Sequence, residues 1–312
     1  MTVKALICNS ILRFFHDRKS DCKQGNRIYF SHLEQELSVE AIAEYCGFSK
    51  FYLSRLFKAE TGESIYAFIK RLKVEQSAWR LKVEKGRSIT EIGNEFGYSA
   101  SNYATLFKEH FEKTPAQFRK DIEGISINNA FVHGRKNQLE TYEECCKKIT
   151  IENLPDYFVL YERHKGNYHN LEKDWCSFIK NNKEFLTDAT VLIERTENDP
   201  TITDPEECIY DLCMTVDKND PRLIVQKTAA AGITSRCSSP VCPNTMTVKG
   251  GKFAVYHYAG YPQQIYLAYQ SFFCNWLSET GNKIDNRNGF DLYRRIDTDT
   301  LYMELDICIP IV

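Results

Sequence analysis

The sequence lacks an apolar run of about 18 residues, the length that a membrane-spanning helix requires. Its first 15 residues are mildly apolar, but polar residues interrupt them and no small-residue cleavage site follows, so we expect a helix and no signal peptide.

Although there are 12 cysteines, the sequence lacks CxxC pairs and histidines at zinc-finger spacing. We therefore expect a cytoplasmic protein with reduced thiols and no cofactor, metal or membrane partner. A redox or metal sensor at Cys237 and Cys242 is the alternative.

A length of 312 residues indicates two domains, and the charge of the chain is unevenly distributed between its two parts. Residues 1–121 carry 20 basic and 15 acidic side chains, whereas residues 122–312 carry 20 and 27. A cationic first part joined to an acidic second part fits phosphate contact by the first part only.

The first part of the sequence repeats itself at an offset of 50 residues. Gly47-Phe48-Ser49 returns as Gly97-Tyr98-Ser99, and Leu56-Phe57-Lys58 returns as Leu106-Phe107-Lys108. The glycine can close one helix in the left-handed conformation, and the serine can cap the next helix. Two such units, joined by a helix over 66–85, predict a tandem helix-turn-helix domain that binds double-stranded DNA.

These residues resemble a known family. The DNA-binding domain of AraC-type transcription regulators is similar to the stretch from about Leu37 to Lys120, and the similarity is carried by Gly47 to Lys58, Thr61 to Ser64, Phe107 to Phe111 and Thr114 to Arg119. The resemblance implies an all-α DNA-binding domain over 1–121, with RNA polymerase as a further partner. Two departures concern the second unit, which is one residue shorter than usual between Ser99 and Ser101 and carries Thr105 where many members have arginine.

The exposed faces of the two predicted recognition helices supply the candidate DNA contacts. Arg55 can bind guanine O6 and N7, and Phe51 can lie against a thymine methyl group. The second helix offers shorter side chains, which suit backbone positioning better than base reading. A solvated helix face is the alternative interpretation. The predicted DNA-binding residues are Lys50, Phe51, Ser54, Arg55, Lys58, Ser101, Thr105 and Lys108.

Two segments around this domain are less regular. Either 3–18 or 27–37 can form a first helix beneath it, and we favour the second segment. Residues 122–148 are polar and irregular, which indicates a linker.

The rest of the chain holds a second duplication. The strand-like runs 158–166 and 253–260 both end in glycine, and helical patterns follow both. Later alternating runs, 210–216 and 305–311, also correspond. Each half is therefore predicted to be a strand-helix-strand-strand unit. Two pseudo-symmetric units make an α+β domain with two helices on one face of an antiparallel sheet.

This half, 149–312, resembles the GyrI-like effector-binding domain. The resemblance is carried by Leu154-Pro155, Tyr161 to Tyr168, Asp199-Pro200 with Thr203, Tyr210-Asp211, Gly250 to Val255 and Asp306 to Pro310. It implies a small-molecule effector. The stretch 221–248 is longer than the usual connection in that family, and we assign it no role.

Aromatic residues from both halves can line an effector cleft between them. Glu304 and Asp306, two residues apart on the last strand, can both face that cleft, and a buried carboxylate there favours a cation. Core packing is the alternative role for any one of these aromatic side chains. The predicted effector-binding residues are Tyr161, Tyr168, Trp175, Tyr258, Tyr261, Trp276, Glu304 and Asp306.

The sequence leaves three functions for the second domain. The favoured one is ligand control of a transcription regulator without catalysis. The second is hydrolysis of small electrophiles by a Glu and a Tyr, which the resemblance to some GyrI-like domains implies. The third is binding of another protein.

Overall fold

The computed structural model describes residues 39–40, 43, 48–128, 139–223, 244–285, 287–297 and 299–312. The predicted helix that ends at Gly47, the segments 3–18 and 27–37, and most of 221–248 lie outside the described residues. The chain divides into two compact units. Every helix in the described part of the chain is too short or too polar to cross a membrane.

The first unit is helical. The predicted connecting helix over 66–85 is confirmed, with bounds at Ile65 and Val83. From residue 50 onward, the described helices that begin in this unit are α1 (Lys50–Thr61), α2 (Ile65–Val83), α3 (Ile89–Glu95), α4 (Ala100–Phe111) and α5 (Pro115–Asn128).

Local sequence signals define α1 and α4 in the same way. The Ser49 hydroxyl accepts a hydrogen bond from the Tyr52 amide at 3.2 Å, and the Ser99 hydroxyl accepts one from the Asn102 amide at 3.4 Å. Both serines are the N-cap residues of 12-residue helices. The helix α1 ends at Gly62, whose φ of 82° suits a residue without a Cβ. The 50-residue repeat is therefore structural.

The core of the first unit is aromatic and tightly packed. Phe57 is fully buried, and its ring meets that of Phe68 edge to face at a centroid distance of 5.3 Å. The buried Tyr103 hydroxyl donates to Ser77 Oγ at 2.9 Å. A Cβ on Gly93 would lie 2.8 Å from Tyr103 Cδ1, so glycine allows α3 to approach α4 this closely.

The second unit is built on one antiparallel sheet with the strand order β1-β6-β8-β7-β3-β4-β2-β5. Its strands are β1 (Ile149–Leu154), β2 (Tyr157–Lys165), β3 (Leu192–Thr196), β4 (Ile209–Thr215), β5 (Asn244–Val248), β6 (Gly251–Gly260), β7 (Phe290–Ile296) and β8 (Met303–Pro310).

Helices accompany this sheet as an α+β fold requires. The short helix α6 (Tyr142–Cys146) precedes β1, and α7 (Leu171–Asn181) lies between β2 and β3 in the chain. After β6 come α8 (Pro262–Ser271), a π-helical turn (Phe272–Trp276) and α9 (Leu277–Thr280).

Strand alternation gives this sheet two buried faces. On the helix face, Leu160, Tyr210 and Leu212 pack with Trp175 and Phe178 of α7. On the other side, which we call the opposite face, the buried cluster consists of Val159, Ile193, Cys213, Val248, Phe253, Val255, Phe290, Leu292 and Cys308.

The structure differs from the predicted linker at 122–148. Helix α5 continues to Asn128. The Glu140 amide donates to Ser271 Oγ at 3.0 Å, and the Asn275 side chain donates to the Glu140 carbonyl at 2.5 Å. Residue 140 is therefore bound to the second unit, and 129–138 lies outside the described residues.

Candidate functional site

The first recognition helix, α1, presents most of its predicted DNA contacts to solvent. Phe51 is 79% exposed, so its ring is accessible to a partner. Arg55 and Lys58 are also exposed, whereas Ser54 is half-buried. Lys50 is exposed and forms an ion pair with Glu40. The face opposite Leu53 and Phe57 is thus polar, basic and accessible, as contact with DNA would require.

The second recognition helix, α4, is less suited to reading bases through Ser101 and Thr105. The Thr105 hydroxyl donates to the Ser101 carbonyl at 3.1 Å, and Ser101 Oγ lies 3.5 Å from Ser99 Oγ. Lys108 is exposed. Sequence reasoning missed Asn102, whose exposed carboxamide makes no hydrogen bond with another described residue and suits an adenine edge.

Two of the eight predicted effector residues lie together on the helix face. Trp175 packs edge to face against Tyr293, with ring centroids 5.4 Å apart. The Tyr168 ring lies 5.1 Å from that of Tyr210, and its hydroxyl donates to the Asn198 carbonyl at 3.2 Å.

The other four predicted aromatic residues are dispersed. Tyr161 packs against the cluster on the opposite face of the sheet. The Tyr258 hydroxyl donates to the Tyr261 carbonyl at 2.6 Å, and Tyr261 itself is exposed beside Tyr302. Trp276 packs on Phe272 within the helical segment after β6. The eight residues therefore do not form one cleft.

The predicted carboxylates, Glu304 and Asp306, are not on the helix face. Asp306 is two residues from Cys308 of the opposite-face cluster, and successive odd or even positions of a strand share a face. Its carboxylate contacts His257 Nδ1 at 2.7 Å and accepts from Arg294 Nε at 2.7 Å. Glu304 shares this side by the same alternation. The two predicted carboxylates therefore lie on the opposite side of the sheet from Trp175, and their role in effector binding stays a prediction.

The helix face instead buries a different acidic pair, Glu194 on β3 and Asp291 on β7. These residues are direct partners across the two central strands. The Tyr293 hydroxyl donates to Glu194 Oε2 at 2.7 Å, and the Tyr269 hydroxyl donates to Asp291 Oδ1. Each carboxylate is only 4% exposed. Five side chains, those of Trp175, Glu194, Tyr269, Asp291 and Tyr293, make up what we call the acidic cluster.

Burial dominates the electrostatics of the acidic cluster. It raises the pKa of Glu194, and the hydrogen bond from Tyr293 opposes that rise. Burial and then the charge of Glu194 raise the pKa of Asp291 well above its usual range. Burial likewise raises the pKa of the Tyr269 and Tyr293 hydroxyls. The cluster therefore favours neutral carboxyl groups unless positive charge reaches it.

One donor in the acidic cluster is unsatisfied. Trp175 Nε1 faces Glu194 and the Tyr293 hydroxyl, but it makes no hydrogen bond of normal geometry with a described residue. Buried polar groups are usually paired, so the cluster has unused capacity for a further polar group. Among the described residues, no group of His, Cys, Asp and Glu side chains could hold a metal ion.

A sequence signal for the acidic cluster existed. Glu194 directly follows the apolar residues 191–193, and Asp291 lies between the apolar residues Phe290 and Leu292. A charged residue inside a buried strand requires an explanation, because burial of a charge is costly. The sequence could not show that the two strands are neighbours.

Together these features define a class of protein, in which helix-turn-helix units are followed by an antiparallel α+β unit with a buried acidic and aromatic cluster. The family model of the GyrI-like small molecule binding domain matches residues 147–312, more than half of the chain. The chain belongs to that family. A helix-turn-helix domain model matches residues 42–121, and the chain carries an AraC-type DNA-binding domain there.

Similarity to individual proteins is concentrated in the DNA-binding domain. Transcriptional regulator Rob of Salmonella typhimurium is 36% identical over 93 residues, which are 30% of this chain and 32% of Rob. Multiple antibiotic resistance protein MarA of Escherichia coli is 35% identical over 103 residues, 33% of this chain and 79% of MarA. This chain thus spans about a third of the length of Rob.

A solved structure extends over more of the chain at a lower level of similarity. The cryo-EM structure of the EcmrR–DNA complex covers 88% of this chain and 98% of its own, with a TM-score of 0.40 and 12% identity. Agreement at this level is too low to transfer any property to this chain.

Proposed function

We propose that this protein is a sequence-specific DNA-binding transcription regulator controlled by a small, hydrophobic, cationic effector. The observation that carries the effector part is the acidic cluster, in which Glu194 and Asp291 are buried among aromatic rings without a cation from the described chain. RNA polymerase is the further partner that we expect of such a regulator.

The DNA-binding part of the proposal is supported by α1 and α4. Both are N-capped by serine and both expose their polar side, so both can enter a major groove. Arg55 is the side chain that suits a bidentate contact with guanine, whereas α4 presents shorter side chains. We therefore expect α1 to contribute more base discrimination than α4.

The effector part is supported by the chemistry of the acidic cluster. Rings of Trp175, Tyr269 and Tyr293 offer the π surfaces that attract organic cations, and the two carboxylates offer the balancing charge. Because both carboxylates are buried, a ligand reaches them only when the aromatic side chains above them move. Binding would then raise the melting temperature by mass action.

The architecture supports an effector site of this kind at the centre of the sheet. We propose that β2-α7-β3-β4 and β6-α8-β7-β8 are two pseudo-symmetric units. The order of the strands is consistent with this, because β3 and β7 hold the same place in their units and pair with each other. Glu194 and Asp291 would then be equivalent residues of the two units.

The DNA-binding proposal is tested by selecting binding sites from a random duplex library with the full chain. Arg55→Ala should cost about 1–3 kcal/mol on the selected site and relax specificity at one base pair. Thr105→Ala is the matched control, which should act weakly and evenly on all sequences. Failure of the wild-type chain to enrich any sequence would refute the proposed function, and equal effects of the two variants would refute the asymmetry.

The effector proposal is tested by thermal shift with (4-methylbenzyl)trimethylammonium and its neutral carbon analogue. Glu194→Gln should reduce the stabilisation by the cation far more than that by the neutral compound. Glu304→Gln is the matched control on the other side of the sheet and should leave both unchanged. If Glu304→Gln has the larger effect, the acidic cluster is not the effector site. A cation-dependent change in affinity for the selected DNA would complete the test.

One observation also favours the second candidate, hydrolysis of small electrophiles. This chemistry would use a Glu and a Tyr, and the Tyr293 hydroxyl donates to Glu194. A turnover assay with simple aryl esters and epoxides, which Glu194→Gln should abolish, distinguishes an enzyme from a regulator that only binds its ligand.

A further inference from the structure

The acidic cluster contains two carboxylates at one place in the sheet. Glu194 and Asp291 are Cα partners in the antiparallel pairing of β3 and β7. Side chains of direct partners point to the same face, with Cβ atoms about 4.5–5.5 Å apart. Both are nearly fully buried on the helix face. A ligand that reaches one carboxylate is therefore within reach of the other.

Each carboxylate has its own aromatic surroundings. On the Glu194 side, Tyr293 donates the hydrogen bond and its ring packs against Trp175. On the Asp291 side, Tyr269 donates the hydrogen bond and its ring stacks on Phe273, with centroids 6.4 Å apart and planes 20° apart. A carboxylate beside aromatic faces is the arrangement that suits one cationic centre, and it occurs here twice.

The described part of the chain does not neutralise this pair. Within the described residues, neither Glu194 nor Asp291 forms an ion pair with a Lys, Arg or His side chain. A carboxylate has about four acceptor positions, and here a single tyrosine hydroxyl occupies one of them in each case. Trp175 Nε1, at the same place, is a buried donor that makes no hydrogen bond of normal geometry with a described residue. Within the described residues, the pair therefore lacks a counter-charge.

We propose that the effector carries two positive charges, one for each of the two buried carboxylates. This inference rests on the proposed function and specifies the ligand class of the same site. A monocation would neutralise one carboxylate and leave the other buried without a counter-charge, so that carboxyl must remain protonated. A dication neutralises both, because each charge finds a carboxylate and an aromatic face.

The test compares two ligands that share one ring. They are (4-methylbenzyl)trimethylammonium, with one charge, and p-xylylene-bis(trimethylammonium), with two, and binding to the full chain is measured by calorimetry at fixed ionic strength. The wild-type protein should bind the dication at least about tenfold more tightly. Asp291→Asn should remove this preference while it retains binding of the monocation, and Glu304→Gln should change neither.

A pH series on the wild-type protein checks the same inference without a variant. Below its pKa, a carboxyl that must lose a proton for binding makes affinity rise about tenfold per pH unit. Binding of the dication deprotonates two carboxyl groups, whereas binding of the monocation deprotonates one. The affinity of the dication should therefore rise more steeply with pH. Calorimetry in two buffers of different ionisation enthalpy counts the protons released.

The outcomes separate the two proposals. If neither cation binds more tightly than the neutral analogue, the proposed function fails. If the monocation binds as tightly as the dication with the same pH slope, only the present inference fails. It also fails if the preference for the dication persists in both Glu194→Gln and Asp291→Asn, because that preference would then arise elsewhere.

Discussion

The two faces of the sheet in the second unit both bury carboxylates, but they treat them differently. On the opposite face, Arg163 donates to both oxygens of Asp211 at 2.7 and 2.8 Å, and Arg195 donates to the same carboxylate at 3.3 Å. On the helix face, Glu194 and Asp291 receive hydrogen bonds from tyrosine hydroxyls.

This difference separates a carboxylate that arginine balances from carboxylates that have no cation among the described residues. A buried carboxylate that arginine side chains hold in place is internally balanced, and it belongs to the packing of the domain. A buried carboxylate without a cation has a raised pKa and destabilises the folded state when it ionises. Strongly shifted carboxyl pKa values cluster at functional sites, which directs attention to the helix face.

The largest effect is expected on the balanced face. Asp211→Asn removes the carboxylate that both arginines contact and leaves the two buried guanidinium groups with Glu197 as their remaining acidic neighbour. We expect a loss of about 3–5 kcal/mol in unfolding free energy. Denaturant unfolding, followed by the fluorescence of Trp175 and Trp276 in a Trp79→Phe background, measures it. A loss below about 1 kcal/mol would show that the network does not stabilise the domain.

An effect of the opposite sign is expected on the helix face. The raised pKa of Asp291 means that the folded state binds its proton more tightly than the unfolded state. Stability should therefore fall as the pH rises from the ordinary carboxyl range through the raised pKa. Asp291→Asn removes this penalty and should stabilise the ligand-free protein by about 1–2 kcal/mol at neutral pH.

The same fluorescence assay over a pH series checks this prediction. The gain from Asp291→Asn should disappear below about pH 4, where the carboxyl is protonated in both states. Destabilisation at neutral pH would mean that Asp291 is held by the fold as Asp211 is, and the contrast between the faces would be lost.

The smallest effect is expected where a charge pair reaches solvent. The side chain of Arg294, which pairs with Asp306, is 54% exposed. Arg294→Ala should cost no more than about 1 kcal/mol, because water screens the pair and His257 still contacts Asp306. A cost as large as that of Asp211→Asn would show that solvent exposure does not determine how much each ion pair contributes to the unfolding free energy. Raised salt should reduce the small loss further.

Much of the first unit was predictable from sequence because its signals are local. The residues that cap α1, Ser49 and Gly62, act within a few positions of themselves, and the apolar spacing of Leu53 and Phe57 selects the buried side. The exposed side of α1 therefore followed from the sequence. Asn102 was missed because an apolar stripe identifies the core and does not rank the polar residues opposite to it.

The acidic residues of the proposed effector site were less predictable because the order of strands in the sheet decides which of them lie together. Glu304, Asp306 and Glu194 all lie in alternating or apolar runs, and each run predicts a strand equally well. Alternation tells which residues share a side of one strand, but it does not tell which side the helices cover. The pairing of β3 with β7 joins Glu194 to a residue 97 positions later, and no local pattern contains that information.

The sequence by itself determined the helix-turn-helix repeat, the α+β composition of the second half and the aromatic and acidic residue types available to a ligand. Caps, turns and periodicities act over a few residues, so short stretches of sequence determine these properties. The tertiary structure decided which acids are balanced by arginine and which are not. Asp306 lies with Arg294 and His257, whereas Glu194 lies with Asp291, because strand register and sheet order bring together residues that are far apart in the chain.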